Sequence, residues 1–482
     1  MSGHDEDLIV DLFSGAGGIS GAQRNVHGRD PDVAINHWET AVRVHEVNHP
    51  GTLHLHGSVW HYRPIDVTRG RRVLHVHGSP TCTHFSQAKG GPLDRSEATK
   101  VRALAWSLFR WAKETLADVI TVENVRQFAD WGPLDNDGRV IESRKGETFR
   151  KWIRGFERLG YVVEWRVLCA ADYGSPTSRE RLFIVMRRDG EPIRWPAPTH
   201  GPGTGRPWRG AHECIDWSIP APSIFDRKKP LTEATLRRIA RGVTRFVLEA
   251  AEPFIVPVSH SGDARVHGLD EPLRTVTASS RSPFSLVVPS LIHVSNGERE
   301  GQAPRVYDIR DPLSTVVAGG VKHALIAATI VKNFGGHEGS GLDVRRPLGA
   351  VTTRDHHALV TCATDADRRA EVRALLRDYG PRTVHNDGTI RVRVGRADAA
   401  FEVADVGMRL LVPRELARAH DFDDMVLDRD ASGRPVTKTD QIRLIGNSVP
   451  RLLAEAVIGS QFGTWPSLPV EPEQGELFAG AA

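Results

Sequence analysis

Residues 7–18 read Asp-Leu-Ile-Val-Asp-Leu-Phe-Ser-Gly-Ala-Gly-Gly, an apolar run that ends in a cluster of glycines. Asp7 to Phe13 predicts a buried strand, because a short apolar run bounded by a turn is typical of one. Ser14 to Gly18 predicts a tight turn before a helix, whose free N–H groups favour a bound ligand. By itself the turn leaves a cofactor loop and an ordinary tight turn equally open.

The same alternation of strand and helix continues outward from this turn. Val33 to Asn36, Val73 to His77 and Ala117 to Val122 are further predicted strands, and Glu97 to Leu116 has apolar residues at helical spacing. Strands that alternate with helices predict an α/β fold with a mostly parallel sheet covered on both faces. Ligands of such sheets bind beyond the carboxyl ends of the strands.

Reactive side chains stand at three of these strand ends. Cys82 lies in Gly78-Ser-Pro-Thr-Cys-Thr-His-Phe-Ser86, Glu123 ends the next strand, and Arg179 and Arg181 enter a later one. Strand alternation is expected to place both guanidinium groups on one face. A loop cysteine without a role and ordinary surface ion pairs are the alternatives. Together the set suggests a nucleophile, an acid and a clamp for an anion or carbonyl.

Two residues after the second strand are candidates for cofactor binding. Glu39 could bind ribose hydroxyls, and Trp38 could stack on a purine. A surface glutamate and a packed tryptophan are the alternatives, and the spacing to the glycine-rich turn favours the cofactor interpretation.

Composition restricts the class of protein without naming a partner. The 482 residues include 26% charged ones and a net charge of +3, which suits a globular protein and allows nucleic acid. Four scattered cysteines predict neither disulfides nor zinc, and a cytoplasmic location is expected. His54/His56 and His75/His77 have same-face spacing, but packing is expected for them, since no third metal ligand is evident.

The later part of the chain predicts a second unit. Pro192 to Pro222 is rich in Pro, Gly and Trp, and a weak β-rich repeat follows over about residues 253–360. Polar turns of this repeat, near His260, Asn296 and Asn333, are candidates for contact with a partner. The predicted division is 1–190 for a catalytic and cofactor-binding domain, 191–400 for the second domain, 401–463 for a segment that completes the first, and 464–482 for a disordered tail.

These blocks, in this order, resemble the DNA cytosine-5 methyltransferase family of prokaryotic or phage type. The resemblance covers roughly residues 7–185, resumes with Met408 to Leu416 and ends with Ile445 to Pro450. It implies a Rossmann-like S-adenosylmethionine-dependent methyltransferase fold and a smaller, β-rich target recognition domain. Double-stranded DNA is the implied partner, S-adenosylmethionine the implied cofactor, and a monomer is expected.

The resemblance also implies a role for each site residue. Cys82 would add to carbon 6 of a flipped-out cytosine, Glu123 would hydrogen-bond the ring, and Arg179 and Arg181 would hold the cytosine carbonyl and the catalytic loop. The implied cofactor-binding residues are Phe13, Gly15, Gly17, Gly18, Trp38, Glu39, Pro80, Asn447 and Val449. The candidate DNA contacts are Ser86, Asn124, Asn296, Lys322, Asn333 and Arg354, with Arg281 also near the expected surface.

Several features depart from the family pattern or leave it open. Thr81 stands where a proline is usual, Thr177 stands where a glutamine is usual, and no acidic residue near Gly57 to Val59 matches the adenine contact. Methylation of tRNA and a DNA-binding protein with a decayed catalytic domain are the alternative functions. Near the C-terminus, Gln474 to Phe478 resembles a peptide that docks on the bacterial sliding clamp.

Overall fold

The computed structural model describes residues 7–81, 95–214 and 412–469, and between 216 and 410 it describes separate strands, helical residues and short stretches. All statements about structure below are confined to these residues. For some of the described residues, including those of every strand between 254 and 410, only the backbone is described.

A seven-stranded sheet forms the centre of the first part of the chain. Its strands are β1 (Leu8–Leu12), β2 (Val33–Asn36), β3 (Leu53–His56), β4 (Val73–Gly78), β5 (Val119–Asn124), β6 (Val162–Cys169) and β7 (Glu180–Arg187), in the order β3-β2-β1-β4-β5-β7-β6. The first five pair in parallel, and β7 is antiparallel to both β5 and β6. The prediction of a mostly parallel α/β sheet is confirmed. The strand order reverses between β1 and β4, the position at which such sheets bind ligands.

Helices cover the sheet on both faces. They are α1 (Gly18–His27), α2 (Glu39–Asn48), α3 (Pro64–Thr68), α4 (Arg95–Ala103), α5 (Ala105–Thr115) and α6 (Glu147–Glu157). The sequence predicted one helix from Glu97 to Leu116, and the structure divides it at Leu104. There the amide of Leu104 bonds to the carbonyl of Val101 and the amide of Ser107 bonds to that of Leu104, so a tighter three-residue pattern replaces the α-helical one.

Strand β7 shows how the two faces of the sheet are built. Successive side chains of a strand point to opposite faces. Leu182, Ile184 and Met186 therefore pack with Trp111 and Trp152 in one core, whereas Phe183 and Val185 pack in a second core with the C-terminal residues Val449, Leu453, Ala454, Ala456, Val457 and Ile458.

The end of the chain returns to the first domain. After α7 (Arg369–Tyr379) it forms α8 (Pro413–Arg418), α9 (Lys438–Gly446) and α10 (Arg451–Phe462), and α10 packs on α1. The pattern of residues from Met408 to His420 predicts one helix, and this prediction is wrong at its start. The helix begins at Pro413, which lacks an N–H and occupies the first turn, where that loss costs least. The predicted division into domains, with residues 401–463 completing the first, stays a prediction.

The segment between residues 254 and 410 is rich in strands, as the sequence predicted. Its strands form a six-stranded, a five-stranded and a two-stranded sheet. They are β8 (Phe254–Pro257), β9 (His267–Gly268), β10 (Ser280–Arg281), β11 (Phe284–Val287), β12 (Pro289–His293), β13 (Val306–Tyr307), β14 (His323–Ala327), β15 (Thr329–Val331), β16 (Arg354–Asp355), β17 (Ala358–Val360), β18 (Thr389–Val394), β19 (Ala397–Val403) and β20 (Arg409–Leu410). Among the described helices, none is long and apolar enough to cross a membrane.

Candidate active site at the carboxyl ends of the strands

The glycine-rich turn after β1 is held in an unusual backbone conformation. Phe13, Gly15 and Gly17 have φ angles of 65°, 56° and 98°, in the left-handed region that favours glycine. The amides of Phe13 and Ser14 both donate to the carbonyl of Ile35, at 2.9 and 3.2 Å, which ties the turn to β2. Phe13 adopts this conformation despite its side chain, which is typical of strain at a functional site.

Two residues from later in the chain, His49 and Phe422, pack closely against the last two glycines of this turn. A Cβ atom on Gly18 would lie 2.6 Å from the ring of Phe422, and one on Gly17 would lie 2.5 Å from the ring of His49. Nε2 of His49 is 3.0 Å from the carbonyl oxygen of Gly17, and its Nδ1 is 2.7 Å from Asp30. The sequence analysis missed Phe422 and His49, since neither belongs to a recognisable motif.

The end of β2 carries the predicted Trp38 and Glu39. The guanidinium carbon of Arg443 lies 4.3 Å from the centroid of the Trp38 ring, a cation–π arrangement that was not predicted. Glu39 is the first residue of α2 and pairs with Arg43 at 2.5 Å, with 58% of the Glu39 side chain exposed. Both residues lie at the ligand-binding edge, and their cofactor contacts stay predictions.

Glu123 and Asn124, at the end of β5, have well-defined partners. Oε1 of Glu123 is 2.9 Å from Nε of Arg181, and both side chains are buried. Nδ2 of Asn124 donates to the carbonyl oxygen of Pro80 at 2.9 Å. Asn124 therefore fixes the segment that leads from β4 to Cys82, although the sequence suggested a DNA contact for it.

The two arginines of the predicted clamp take different partners. Arg179 donates to the carbonyl oxygens of Gly446 and Ser448, at 3.0 and 2.7 Å, whereas Arg181 pairs with Glu123. Strand alternation does not apply to Arg179, because β7 begins only at Glu180. Arg179 thus joins the start of β7 to the C-terminal segment, and only Arg181 lies against the predicted acid.

The C-terminal segment contacts the glycine-rich turn after β1. Val449 is buried, and its carbonyl oxygen would lie 3.4 Å from a Cβ atom on Gly18. Asn447 caps the end of α9 and is exposed. The structure therefore brings Gly17, Gly18 and Val449 together, although they stand at opposite ends of the chain.

The three departures from the family motifs, at Thr81, at Thr177 and after β3, all lie within the described residues. Thr81 is half-buried at the end of the described loop. Thr177 is fully buried, and within the described residues its hydroxyl has no hydrogen-bond partner. No acidic residue replaces the missing adenine contact in the motif after β3, so that contact stays unassigned.

Burial suppresses the reactivity of the two cysteines that the structure describes, Cys169 and Cys214. Burial raises the pKa of the Cys169 thiol to about 12 and that of Cys214 well above its ordinary value. Neither is suited to be a nucleophile, because the thiolate is the reactive form. Cys82 itself lies outside the described residues, as do Ser86, His260, Asn296, Lys322, Asn333, Cys362 and Gln474 to Phe478. Of Arg281 and Arg354 only the backbone is described.

The chain is similar to several known proteins. The profile of a family described as C-5 cytosine-specific DNA methylase matches residues 8–205. The Type II methyltransferase M.AquIA of Picosynechococcus sp. is 28% identical over 202 residues, which are 41% of this chain and 78% of that protein. M1.HphI of Haemophilus parahaemolyticus is 33% identical over 194 residues, 40% of this chain and about half (48%) of that protein. The Entamoeba histolytica methyltransferase EhMeth aligns with a TM-score of 0.46 and 12% identity, over 95% of this chain and 98% of that one.

Proposed function

Because the profile of the C-5 cytosine-specific DNA methylase family matches residues 8–205, we propose that this chain acts as a member of that family and methylates carbon 5 of cytosine in a specific sequence of duplex DNA. S-adenosylmethionine is the proposed methyl donor. The observation that carries the proposal is the buried pair of Glu123 and Arg181, which lies beside the loop that leads to Cys82. The function would be protection of DNA, either paired with a restriction enzyme or alone.

The turn after β1 fits the proposed cofactor. A Cβ atom on Gly15 would meet nothing within 4 Å, whereas Gly17 and Gly18 are packed from behind by His49 and Phe422. The backbone of the turn is therefore open at Gly15 and packed against other residues at Gly17 and Gly18. The turn lies at the N-terminus of α1, where free N–H groups favour a polar ligand. Phe13, Trp38, Glu39, Pro80, Asn447 and Val449 are the further residues proposed to hold S-adenosylmethionine, which supplies the methyl group when bound.

The proposed chemistry begins with the target cytosine swung out of the DNA stack, at a cost of a few kcal/mol. The Cys82 thiolate then forms a bond to carbon 6, and the electron pair moves into the ring, so that carbon 5 becomes nucleophilic. Glu123 hydrogen-bonds the ring nitrogen and the exocyclic amine and stabilises the developing charge. After methyl transfer, carbon 5 loses its proton and the bond to Cys82 breaks.

Within this mechanism, the described residues provide rigidity. Arg181 holds the Glu123 carboxylate in one orientation, and Asn124 holds the carbonyl of Pro80. Such preorganisation is worth more than the same contacts in water, because buried groups need no reorganisation during the reaction.

The decisive experiment measures transfer of labelled methyl groups to duplex DNA and to tRNA. Wild type, Cys82→Ala and Cys169→Ala are compared, because Cys169 is a cysteine whose thiol is suppressed by burial. The proposal expects label in cytosine of duplex DNA with wild type and Cys169→Ala, and none with Cys82→Ala. Label in tRNA alone supports the tRNA alternative, and label in adenine or full activity of Cys82→Ala overturns the mechanism. Binding to DNA without any transfer supports the decayed enzyme.

Sequence recognition is proposed for the β-rich segment. Bisulfite sequencing of DNA from expressing cells would give the target sequence. Replacement of Asn296, Lys322, Asn333 or Arg354 should change the preferred sequence more than the turnover, because base contacts specify and phosphate contacts only position. Unchanged preference in all four would place the recognition surface elsewhere.

Contact of Gln474 to Phe478 with the bacterial sliding clamp is a separate proposal. It is tested by deletion of the tail and measurement of clamp binding, and unchanged binding would remove it. A cytoplasmic location and a monomeric state also stay predictions.

A further inference from the structure

Two fully buried histidines lie on one face of β4, directly behind the loop that leads to Cys82. Nε2 of His75 and Nδ1 of His77 lie 2.9 and 2.8 Å from the same atom, Oγ1 of Thr121 on β5. In the described part of the structure no cluster of three or more potential metal ligands exists, so the spacing of these histidines has no metal to explain it. Each ring instead takes part in a chain of hydrogen bonds.

The donor and acceptor of each of these hydrogen bonds can be assigned by starting from Gln23, at the end away from Cys82. Nε2 of Gln23 lies 3.3 Å from the carbonyl oxygen of Val10 and 3.3 Å from Nδ1 of His75. A carbonyl only accepts, so the amide nitrogen faces Val10 and donates, which makes Nδ1 of His75 an acceptor. Nε2 of His75 must then carry the hydrogen and donate to Thr121.

The remaining links are determined in turn. The Thr121 hydroxyl accepts from His75. Among the described residues its other partner is Nδ1 of His77, so the hydroxyl donates its own hydrogen to that atom. Nε2 of His77 therefore carries a hydrogen and donates to Oγ of Ser79, at 2.9 Å. We call this series, Gln23–His75–Thr121–His77–Ser79, the histidine chain.

Burial keeps both histidines neutral, which is the charge state that the histidine chain requires. Each ring must present one donor and one acceptor, which only a neutral imidazole does. Burial lowers the pKa of His77 to about 3 and that of His75 well below its ordinary value, so both are neutral at physiological pH. A neutral chain is a structural support and does not carry charge to the site.

The histidine chain ends on the loop that precedes Cys82. Besides the bond from His77, the amide of Ser79 donates to the carbonyl of Leu12 on β1, and the carbonyl of Pro80 accepts from Asn124 on β5. Ser79 and Pro80 are thus held from three strands, and Cys82 follows Pro80 by two residues. Thr81 stands where a proline is usual in the family.

We propose that the histidine chain positions Ser79 and Pro80, and through them Cys82, with His77 as the positioning residue. This role rests on the proposed function, since it assigns the attack on cytosine to Cys82. It explains why two neighbouring buried strands carry two histidines and a threonine where apolar residues would pack more simply.

Replacement of Thr121 tests the histidine chain at its centre. Thr121→Val keeps the shape of the side chain but removes the hydroxyl, and it leaves an N–H of His75 and Nδ1 of His77 without partners. Thr121→Ser restores the hydroxyl. Thr115→Val is the matched control, because its hydroxyl bonds only to the carbonyl of Trp111 at the end of α5.

Two measurements are made on each variant. For methyl transfer to duplex DNA, Thr121→Val should lower kcat about tenfold or more with KM changed less than about threefold, and Thr121→Ser and Thr115→Val should stay within about twofold of wild type. The rate at which iodoacetamide alkylates Cys82, followed by mass spectrometry across neutral and alkaline pH, should shift in Thr121→Val alone. This second measurement needs no methyl transfer.

The outcomes separate this inference from the proposed function. Wild type that transfers no methyl group refutes the proposed function, and alkylation of Cys82 still tests the positioning. Unchanged kcat and alkylation in Thr121→Val overturn the histidine chain, as does an equal loss in Thr115→Val or no recovery in Thr121→Ser. If Thr121→Val does not fold, Ser79→Ala with Ser107→Ala as its control tests the end of the chain in the same way.

Discussion

Nε of Arg181 lies 2.9 Å from Oε1 of Glu123, and each side chain is more than nine-tenths buried. The contact exists because β7 runs antiparallel to β5, so that the first residues of β7 meet the last residues of β5. Glu123, at the end of β5, is thus held by a cation from a later strand, and neither charge is left alone in the protein interior.

Removal of Arg181 should therefore cost both stability and activity. Arg181→Ala leaves a buried carboxylate unpaired, which typically costs about 3–5 kcal/mol of the free energy of unfolding, and Arg181→Lys should cost less because it keeps the charge. Arg144→Ala is the control, since Arg144 pairs with Glu147 with both side chains about half exposed, and it should cost less than about 1 kcal/mol. Denaturant unfolding and kcat are measured together; equal losses in the two alanine variants would contradict the buried-pair argument.

Glu123→Gln should lower kcat by about two to three orders of magnitude, because one hydrogen bond that stabilises developing charge is lost or weakened. KM for DNA should change little. A large rise in KM with unchanged kcat would instead assign Glu123 to binding of the DNA.

Gly18→Ala should weaken binding of S-adenosylmethionine. The new methyl group would lie 2.6 Å from the ring of Phe422, so the turn and the C-terminal segment must move apart. Gly51→Ala is the matched control, since its Cβ would meet only one atom, 3.9 Å away. Affinity for S-adenosylmethionine is measured by calorimetry, and the melting temperature is measured beside it, in both variants. In the Gly18→Ala background, Phe422→Leu should restore part of the lost affinity. No recovery in the double variant would show that the ring is not the obstacle.

Arg179→Met should loosen the C-terminal segment. It removes the donors to the carbonyls of Gly446 and Ser448, and hydrogen bonds from a charged group are worth about 1.5–3 kcal/mol each. We expect a loss of stability of several kcal/mol and faster amide hydrogen exchange in α9 and α10. Arg158→Met, at an exposed position at the end of α6, should change neither. Exchange that rises uniformly over the chain would argue against a local docking role.

The contribution of Asp11 to the free energy of unfolding should fall as pH rises. Burial raises the pKa of Asp11 to about 7, partly opposed by the Ser20 hydroxyl, which donates to Oδ2 at 2.6 Å. Between the ordinary aspartate pKa of about 4 and pH of about 7, the folded state binds a proton that the unfolded state has lost, so each rise in pH in this window costs stability. Above pH of about 7 the effect levels off.

Asp11→Asn removes this titration. Burial keeps His75 and His77 neutral, and these groups raise stability with pH in the same window, so the test compares each variant with wild type. As pH rises from about 5 to 7, the urea midpoint of Asp11→Asn should gain on that of wild type, whereas the midpoint of the exposed control Asp66→Asn should follow wild type. Burial also raises the pKa of Asp421 to about 6, and its contribution is present in wild type and Asp11→Asn alike. A constant difference between Asp11→Asn and wild type over this range would refute the assignment.

Local sequence patterns correctly predicted the elements whose structure depends on interactions between residues close in the chain. The strand from Leu8, the turn at Gly15 to Gly18 and the helix after it follow from apolar runs and glycines, and the structure has all three. The order of the motifs was also sufficient to indicate the family, which the matched profile bears out. Where a local pattern failed, a single residue explains it, as Pro413 does for the start of α8.

The sequence by itself thus determined the α/β class, the chemical groups available at the strand ends and the resemblance to a family of enzymes. Only the tertiary structure decided which group meets which: Arg181 with Glu123, Arg179 with Gly446 across 267 residues, and His75 and His77 with Thr121. Backbone preference acts over a few residues, whereas partners are chosen by strand order and by how distant segments pack. The spacing of His75 and His77 was visible in the sequence, but a shared threonine on the next strand was not.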